Sequence, residues 1–258
     1  MKIVCLKGGL GNQMFEYCRF RDEVYLFYDH RRLKQHNGLR LSDCFELELP
    51  SCPWGVKLVV WGLKICRAVG VLKRLYDDEK PEAVLIDDYS QHRRFIPNAR
   101  RYFFFRQFLA ELQSGFVQMI RAVDYPVSVH VRRGDYLHPS NSSFGLCGVD
   151  YFQQAIAYVR KKRPDARFFF FSDDMEWVRE NLWMEDAVYV EHTELLPDYV
   201  DLYLMTLCRG HIISNSTFSF WGAYLAVDGN GMKIYPRRWF RDPTWTSPPI
   251  FSEEWVGL

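Results

Sequence analysis

Residues 127–132 read Val-Ser-Val-His-Val-Arg, and the run closes on Arg133 and Gly134. Strict alternation means a strand with two different faces, since successive side chains point to opposite sides of a sheet. His130 and Arg132 share one face, and Val129 and Val131 the other. A strand of this kind demands a neighbour on each side, and the residues around it supply them. A helical pattern covers residues 150–163, and a buried strand covers 167–171, closed by Ser172-Asp173-Asp174. Asp173 or Ser172 can N-cap a helix running to Asn181. Helix 198–209, strand 211–214, helix 216–226 and strand 233–235 follow. The N-terminus opens the same way, with strand 3–6, a turn through Gly8, Gly9 and Gly11, and a helix from about Asn12; a further strand, 84–86, ends at Asp87 and Asp88. Strands alternating with helices predict an α/β fold on parallel sheets.

A chain of 258 residues can form two modest domains. The expected boundary lies just before the alternating strand, giving a first domain at 1–125 and a second at 126–240. Residues 241–258, with Pro243, Pro248 and Pro249, are expected to be irregular and to pack back on the first domain. Lys plus Arg number 33 and Asp plus Glu 32, a balance that gives no electrostatic reason to bind nucleic acid. An anionic ligand must therefore meet a local basic site. Seven cysteines lie scattered without C-x-x-C or zinc spacing, which predicts reduced thiols in a cytoplasmic protein. The N-terminus lacks the apolar stretch of a secretion signal. Aromatics reach 17%, concentrated in runs such as residues 102–105 and 168–171, which buried strands explain.

Three stretches can carry chemistry. Arg132 and Arg133 stand where a strand ends, the edge at which open α/β sheets bind ligands, and paired guanidiniums clamp a diphosphate in a way Lys cannot. They would also stabilise charge developing on a departing diphosphate. An equally physical alternative is that both arginines pair with internal carboxylates. The Gly8, Gly9, Gly11 turn can present backbone N–H groups to phosphate at a helix start, but Met14 breaks the Rossmann fingerprint and no P-loop Lys follows. Ser214, Asn215, Ser216 and Thr217 place donors at another helix start, where simple N-capping would use only one of them. D-x-D, H-E-x-x-H and G-x-S-x-G are all missing, and the histidines lack ligand spacing, so no metal site is expected.

In order along the chain, GGLGNQMFEY from Gly8, His36-Asn37-Gly38 with Leu41 and Phe45, DYSQHRRFI from Asp88, HVRRGDYL from His130, CGVDYFQQAI from Cys147, FFFFSDDMEWVRENL from Phe168 and DLYLMTLCRGHIISNSTFSFWGAYL from Asp201 resemble glycosyltransferase family 11, the α-1,2-fucosyltransferases. The resemblance spans nearly the whole chain. It implies a GT-B-like architecture of two Rossmann-like domains facing a cleft, with nucleotide mainly on the second. It further implies inverting transfer of fucose from GDP-fucose, without a metal, to the 2-OH of a terminal β-galactosyl residue on an oligosaccharide or lipid-linked glycan. Carried over by position, Arg132 and Arg133 would hold the diphosphate, and His130 and Asp173 would lie near guanine. Gly9, Gly11, Asn12 and Gln13 on one side, and Asn215, Ser216, Thr217 and Phe218 on the other, would close around phosphates and sugar. Glu16 stands where the family more often has Gln, and Phe220 replaces one of a Trp pair.

Inversion also needs a base for the acceptor hydroxyl. Leu137-His138-Pro139-Ser140 contains no Glu, leaving Asp135 and His138 as candidates. Competing readings are another GDP-sugar-dependent transferase, or a sugar-binding module without catalysis. Loops within residues 51–82 are expected to choose the acceptor. Within them, residues 54–76 are apolar with Lys57, Lys64, Arg67, Lys73 and Arg74 interspersed. That stretch is too interrupted to span a bilayer, but a basic amphipathic helix can lie on an anionic membrane. The plainer expectation is a helix of the acceptor domain, buried on its apolar side.

Overall fold

The computed structural model describes residues 2–20, 24–76, 82–112, 114–141, 143–191 and 196–258. The chain forms two compact units, Met1–Arg106 and Gln107–Leu258.

The first unit contains β1 (Lys2–Leu6), α1 (Leu10–Arg19), β2 (Val24–Tyr28), α2 (His30–Lys34), α3 (Leu41–Cys44), α4 (Trp54–Ala68) and β3 (Leu85–Ile86). Its sheet runs β2-β1-β3 with every pairing parallel. A central parallel strand is covered on both faces and must be apolar on both. Accordingly Ile3 packs with Leu85 beneath Val56, Val60 and Leu63 of α4, while Val4 packs with Leu26 and Ile86 on the reverse side. Gly8 turns the chain out of β1 with φ 70°, a left-handed conformation that disfavours side chains.

The second unit contains α5 (Phe108–Leu112), α6 (Ser114–Arg121), β4 (Tyr125–Val131), α7 (Val149–Lys162), β5 (Ala166–Ser172), α8 (Met175–Asn181), β6 (Val188–Tyr189), α9 (Tyr199–Leu207), β7 (Gly210–Ile212), α10 (Thr217–Tyr224), β8 (Lys233–Tyr235) and β9 (Val256–Gly257). The strand order is β6-β5-β4-β7-β8-β9, parallel throughout. This is the doubly wound order 3-2-1-4-5-6, whose direction of growth reverses between β4 and β7. Phe152, Ala155 and Val159 of α7 pack on Val127, Val129, Phe168 and Phe170, the apolar side of the alternating strand.

Several expectations are corrected. The units divide at 106/107 rather than 125/126, because α5 and α6 pack on α9 and so belong with the second sheet. Residues 241–258 also belong to the second unit. Val256 pairs with Ile234, Phe251 stacks on Tyr235 at 3.8 Å, and Trp255 stacks on Phe220 at 5.4 Å. The cap of α8 is Asp174, whose Oδ1 accepts from the Trp177 N–H at 3.2 Å, rather than Ser172 or Asp173. Strands β2, β6 and β9 were not foreseen. All seven cysteines are free thiols. The proposed acceptor loops in 51–82 are described except for 77–81.

Candidate functional site

Where the winding direction reverses, the carboxyl ends of β4 and β7 lie side by side, and the chain leaves both into polar loops. Two side-chain rungs tie the strands together below that edge. Ser128 Oγ lies 2.8 Å from His211 Nδ1, and His130 Nδ1 lies 3.0 Å from Ser214 Oγ. Burial, with the Arg132 charge adding to it, pushes the His130 pKa down to about 3, so the imidazole is neutral at physiological pH. Its ring faces that of Phe218 at 5.7 Å.

Arg132 follows β4 directly and is gripped by two carboxylates, Asp135 at 2.8 Å and Asp173 at 3.0 Å. Burial by itself would weaken its proton affinity, but Asp173 and Asp135 outweigh burial and hold the pKa above its ordinary value. Arg133 donates from Nε to Asp174 at 3.0 Å, and its guanidinium carbon sits over the Trp177 ring, 4.0 Å from the centroid. Asp173 also accepts from the Arg133 backbone N–H at 2.8 Å, so one carboxylate fixes both the turn and the first arginine. Gly134 makes this possible: a Cβ there would sit 2.8 Å from Asp173 Oδ2. Of the two expectations for the arginine pair, pairing with internal carboxylates is the one observed, since both guanidiniums have carboxylate partners. Those pairs engage two donor nitrogens of Arg132 and one of Arg133, and a guanidinium has five N–H donors. Arg132 remains 33% exposed, enough for a phosphate to approach.

The segment leaving β7 divides its labour. Asn215 is buried, and its amide donates to the carbonyls of Gly145 at 2.7 Å and Trp239 at 2.8 Å while its own carbonyl oxygen accepts from Cys147. The Tyr136 hydroxyl donates to the Asn215 backbone oxygen at 3.0 Å. Asn215 is therefore a fastener of three loops, and its side chain is spent inside the fold. Ser216 caps α10 without a side-chain bond. Thr217 and Phe218 are half-buried at the mouth of the same edge.

In the first unit, Gly9 is the N-cap of α1 and its carbonyl accepts from the N–H groups of Asn12 and Gln13. Gln13 is buried and braces the turn: Nε2 donates to Gly8 and Gly38 carbonyls, each at 2.9 Å, and Oε1 accepts from the Arg40 N–H at 3.0 Å. Gly11 is buried within α1, and Asn12 Oδ1 accepts from Gln91 Nε2 at 2.9 Å. Below the turn, Glu16 is buried, with Oε2 accepting from the Lys7 N–H and Oε1 unpartnered. Burial, reinforced by Asp87 and Asp88 against an opposing Lys7, raises its pKa well above the carboxylate range.

The base candidates differ in what holds them. Asp135 is the partner of Arg132, held through Oδ1 at 2.8 Å. His138 is exposed and lines a cavity of about 730 Å³ with Tyr136, Phe144, Gly148, Arg238 and Arg241. Among the described residues no three His, Cys, Asp or Glu side chains converge as a metal site. Sequence reading missed Asp174 and Trp177 as supports of Arg133, and Tyr136, whose ring centroid lies 5.8 Å from the Arg132 guanidinium carbon. Only the cap spacing of Asp174 to Trp177 carried a usable signal.

Comparison with known proteins bears on this geometry. The Glycosyl transferase family 11 profile matches residues 97–258. An Escherichia coli α-1,2-colitosyltransferase is 29% identical over 98% of this chain and 97% of its own. The Escherichia coli O-antigen biosynthesis glycosyltransferase WbnK is 26% identical over 98% and 99%. The Bos taurus galactoside 2-α-L-fucosyltransferase SEC1 is 34% identical over 98% and 72%. Among solved structures, the α-1,6-fucosyltransferase NodZ soaked with GDP-fucose superposes with a TM-score of 0.53 at 15% identity, covering 87% of this chain and 91% of that one. That likeness, with the two parallel sheets, makes the fold α/β and GT-B-like.

Proposed function

Because this chain belongs to glycosyltransferase family 11 and is a glycosyltransferase, we propose that it transfers L-fucose from GDP-fucose to the 2-OH of a terminal β-galactosyl residue, with inversion and without a metal. The observation that carries this reading is the paired arginines at the switch point of the second sheet, beside the start of α10. In this reading Arg132 and Arg133 hold the diphosphate and neutralise charge as the sugar departs, a contribution that grows in the transition state. Asp173 and Asp135 orient Arg132 before the nucleotide arrives, and Asp173 has carboxylate oxygens to accept from guanine N–H groups once that pair rearranges. His130, neutral, supports the edge from beneath. Ser216, Thr217 and Phe218 close on phosphate and sugar. Asp135 or His138 takes the acceptor proton. An O-antigen glycan or a lipid-linked oligosaccharide fits the similarity to WbnK, and catalysis in the cytoplasm fits the free thiols.

A second donor reading is favoured by one observation: a relative of comparable similarity is an α-1,2-colitosyltransferase. The test is one reaction series with GDP-fucose, lactose and EDTA, assayed for 2′-fucosyllactose and GDP. Product in EDTA, reduced at least a hundredfold in Arg132→Ala, is the expected outcome. GDP binding with neither hydrolysis nor product would overturn fucose as donor and direct the assay to GDP-colitose.

A further inference from the structure

Helix α4 has two apolar faces, and the fold uses one. Val56, Val60 and Leu63 turn inward onto Ile3 and Leu85. At about 100° per residue, Trp54, Leu58, Trp61 and Ile65 fall in one stripe on the opposite side. They are 72%, 48%, 68% and 45% exposed. Val69, Val71 and Leu72 extend the exposed apolar surface past the helix end, with Leu72 held at φ 55°, a conformation costly for a bulky residue. Contiguous exposed apolar surface carrying two Trp side chains marks a surface built to be covered.

Charge indicates what covers it. No Asp or Glu occurs between Glu48 and Asp77, whereas five Lys or Arg do. The structure sorts these five. Lys64 pairs with Asp29 at 2.8 Å and Arg67 with Asp87 at 3.0 Å, so both are neutralised within the unit rather than forming the basic face expected from sequence. Lys57, Lys73 and Arg74 are exposed and pair with no carboxylate among the described residues. Tryptophan beside exposed lysine and arginine suits the headgroup zone of an anionic bilayer, where indole rings settle and basic side chains meet lipid phosphate. No helix among the described residues is long and apolar enough to cross a membrane, which leaves lying on it.

We propose that the outer face of α4, with the turn that follows it, docks this enzyme on an anionic lipid surface, Trp54, Leu58, Trp61 and Ile65 entering the interface and Lys57, Lys73 and Arg74 meeting phosphate. This docking is independent of the donor assignment. The full-length protein is floated with vesicles of phosphatidylcholine alone and of phosphatidylcholine with phosphatidylglycerol. Binding to the second but not the first, weakened by 0.5 M salt and reduced at least tenfold in Trp54→Ser/Trp61→Ser and in Lys73→Glu/Arg74→Glu, is expected. Trp183→Ser, which removes an exposed Trp from the second unit, should bind as the parent does. GDP binding and thermal unfolding of each variant establish that it is folded. Failure of the parent to float, or equal flotation by the Trp variant, overturns the proposal. So does a lipid-free dimer that Trp61→Ser dissolves, since a second copy would then occupy the face.

Discussion

At Gly134 a single hydrogen atom decides how the arginine pair is held. A methyl group there would collide with the Asp173 carboxylate, which holds both the Arg133 N–H and the Arg132 guanidinium. Gly134→Ala should therefore weaken GDP binding at least tenfold with little change in unfolding temperature, as measured by titration calorimetry beside thermal melting. Equal loss of both would mean that the turn is a folding element and not a nucleotide cradle. Glu16 gives a prediction of opposite character. Its buried carboxyl keeps its proton above the ordinary pKa of 4.5, whereas the unfolded chain loses it there, so this group costs stability increasingly as pH rises. Glu16→Gln removes the titration. The variant should gain on the parent by about 1.4 kcal/mol per pH unit above 4.5, until the folded carboxyl itself ionises. Urea melts at pH 5 and pH 8 measure the difference, and a gap independent of pH would refute it.

At the scale of elements, β4 and β7 position the site and the loops leaving them are tied by one residue. Asn215 joins the β7 loop to the carbonyls of Gly145 and Trp239. Asn215→Ala leaves the Trp239 and Gly145 carbonyls without their donor, a loss of about 1–3 kcal/mol for the buried Trp239 bond and less for the part-buried Gly145 bond. Chemical denaturation should register it, with GDP affinity falling too because the start of α10 loosens. Asn215→Asp, which retains shape but supplies no amide donors, should lose as much; full stability in that variant would reassign the clamp. Helix α8 shows a similar economy of contacts. Its cap, Asp174, also receives Arg133, so helix start and arginine orientation share one carboxylate.

For the whole molecule, the last residues matter more than their irregular sequence suggests. Strand β9 ends the second sheet, and the Phe251 and Trp255 rings cover Tyr235 and Phe220. Burying an aromatic side chain is worth about 1.5–3 kcal/mol. Deleting residues 251–258 should therefore lower the unfolding temperature of the second unit by roughly 10 °C or more, seen by differential scanning calorimetry. An unchanged transition would show that the strand is dispensable. The amino-acid sequence by itself determined the α/β class, the two faces of β4 and the arginine pair at its end, because alternation and strand–helix succession are local patterns that backbone geometry enforces. Motif order along the chain likewise pointed to the family. Only the tertiary structure decided that Asp173 and Asp135 grip Arg132, that Asn215 and Gln13 spend their amides inside the fold, and that Lys64 and Arg67 pair with Asp29 and Asp87. It also decided that residues 251–258 complete a sheet, and that α4 keeps a second apolar face outside. Most of these contacts join residues far apart in sequence, as Asp173 to Arg132 and Asn215 to Gly145 do, and such partners are fixed by packing, which no local pattern encodes.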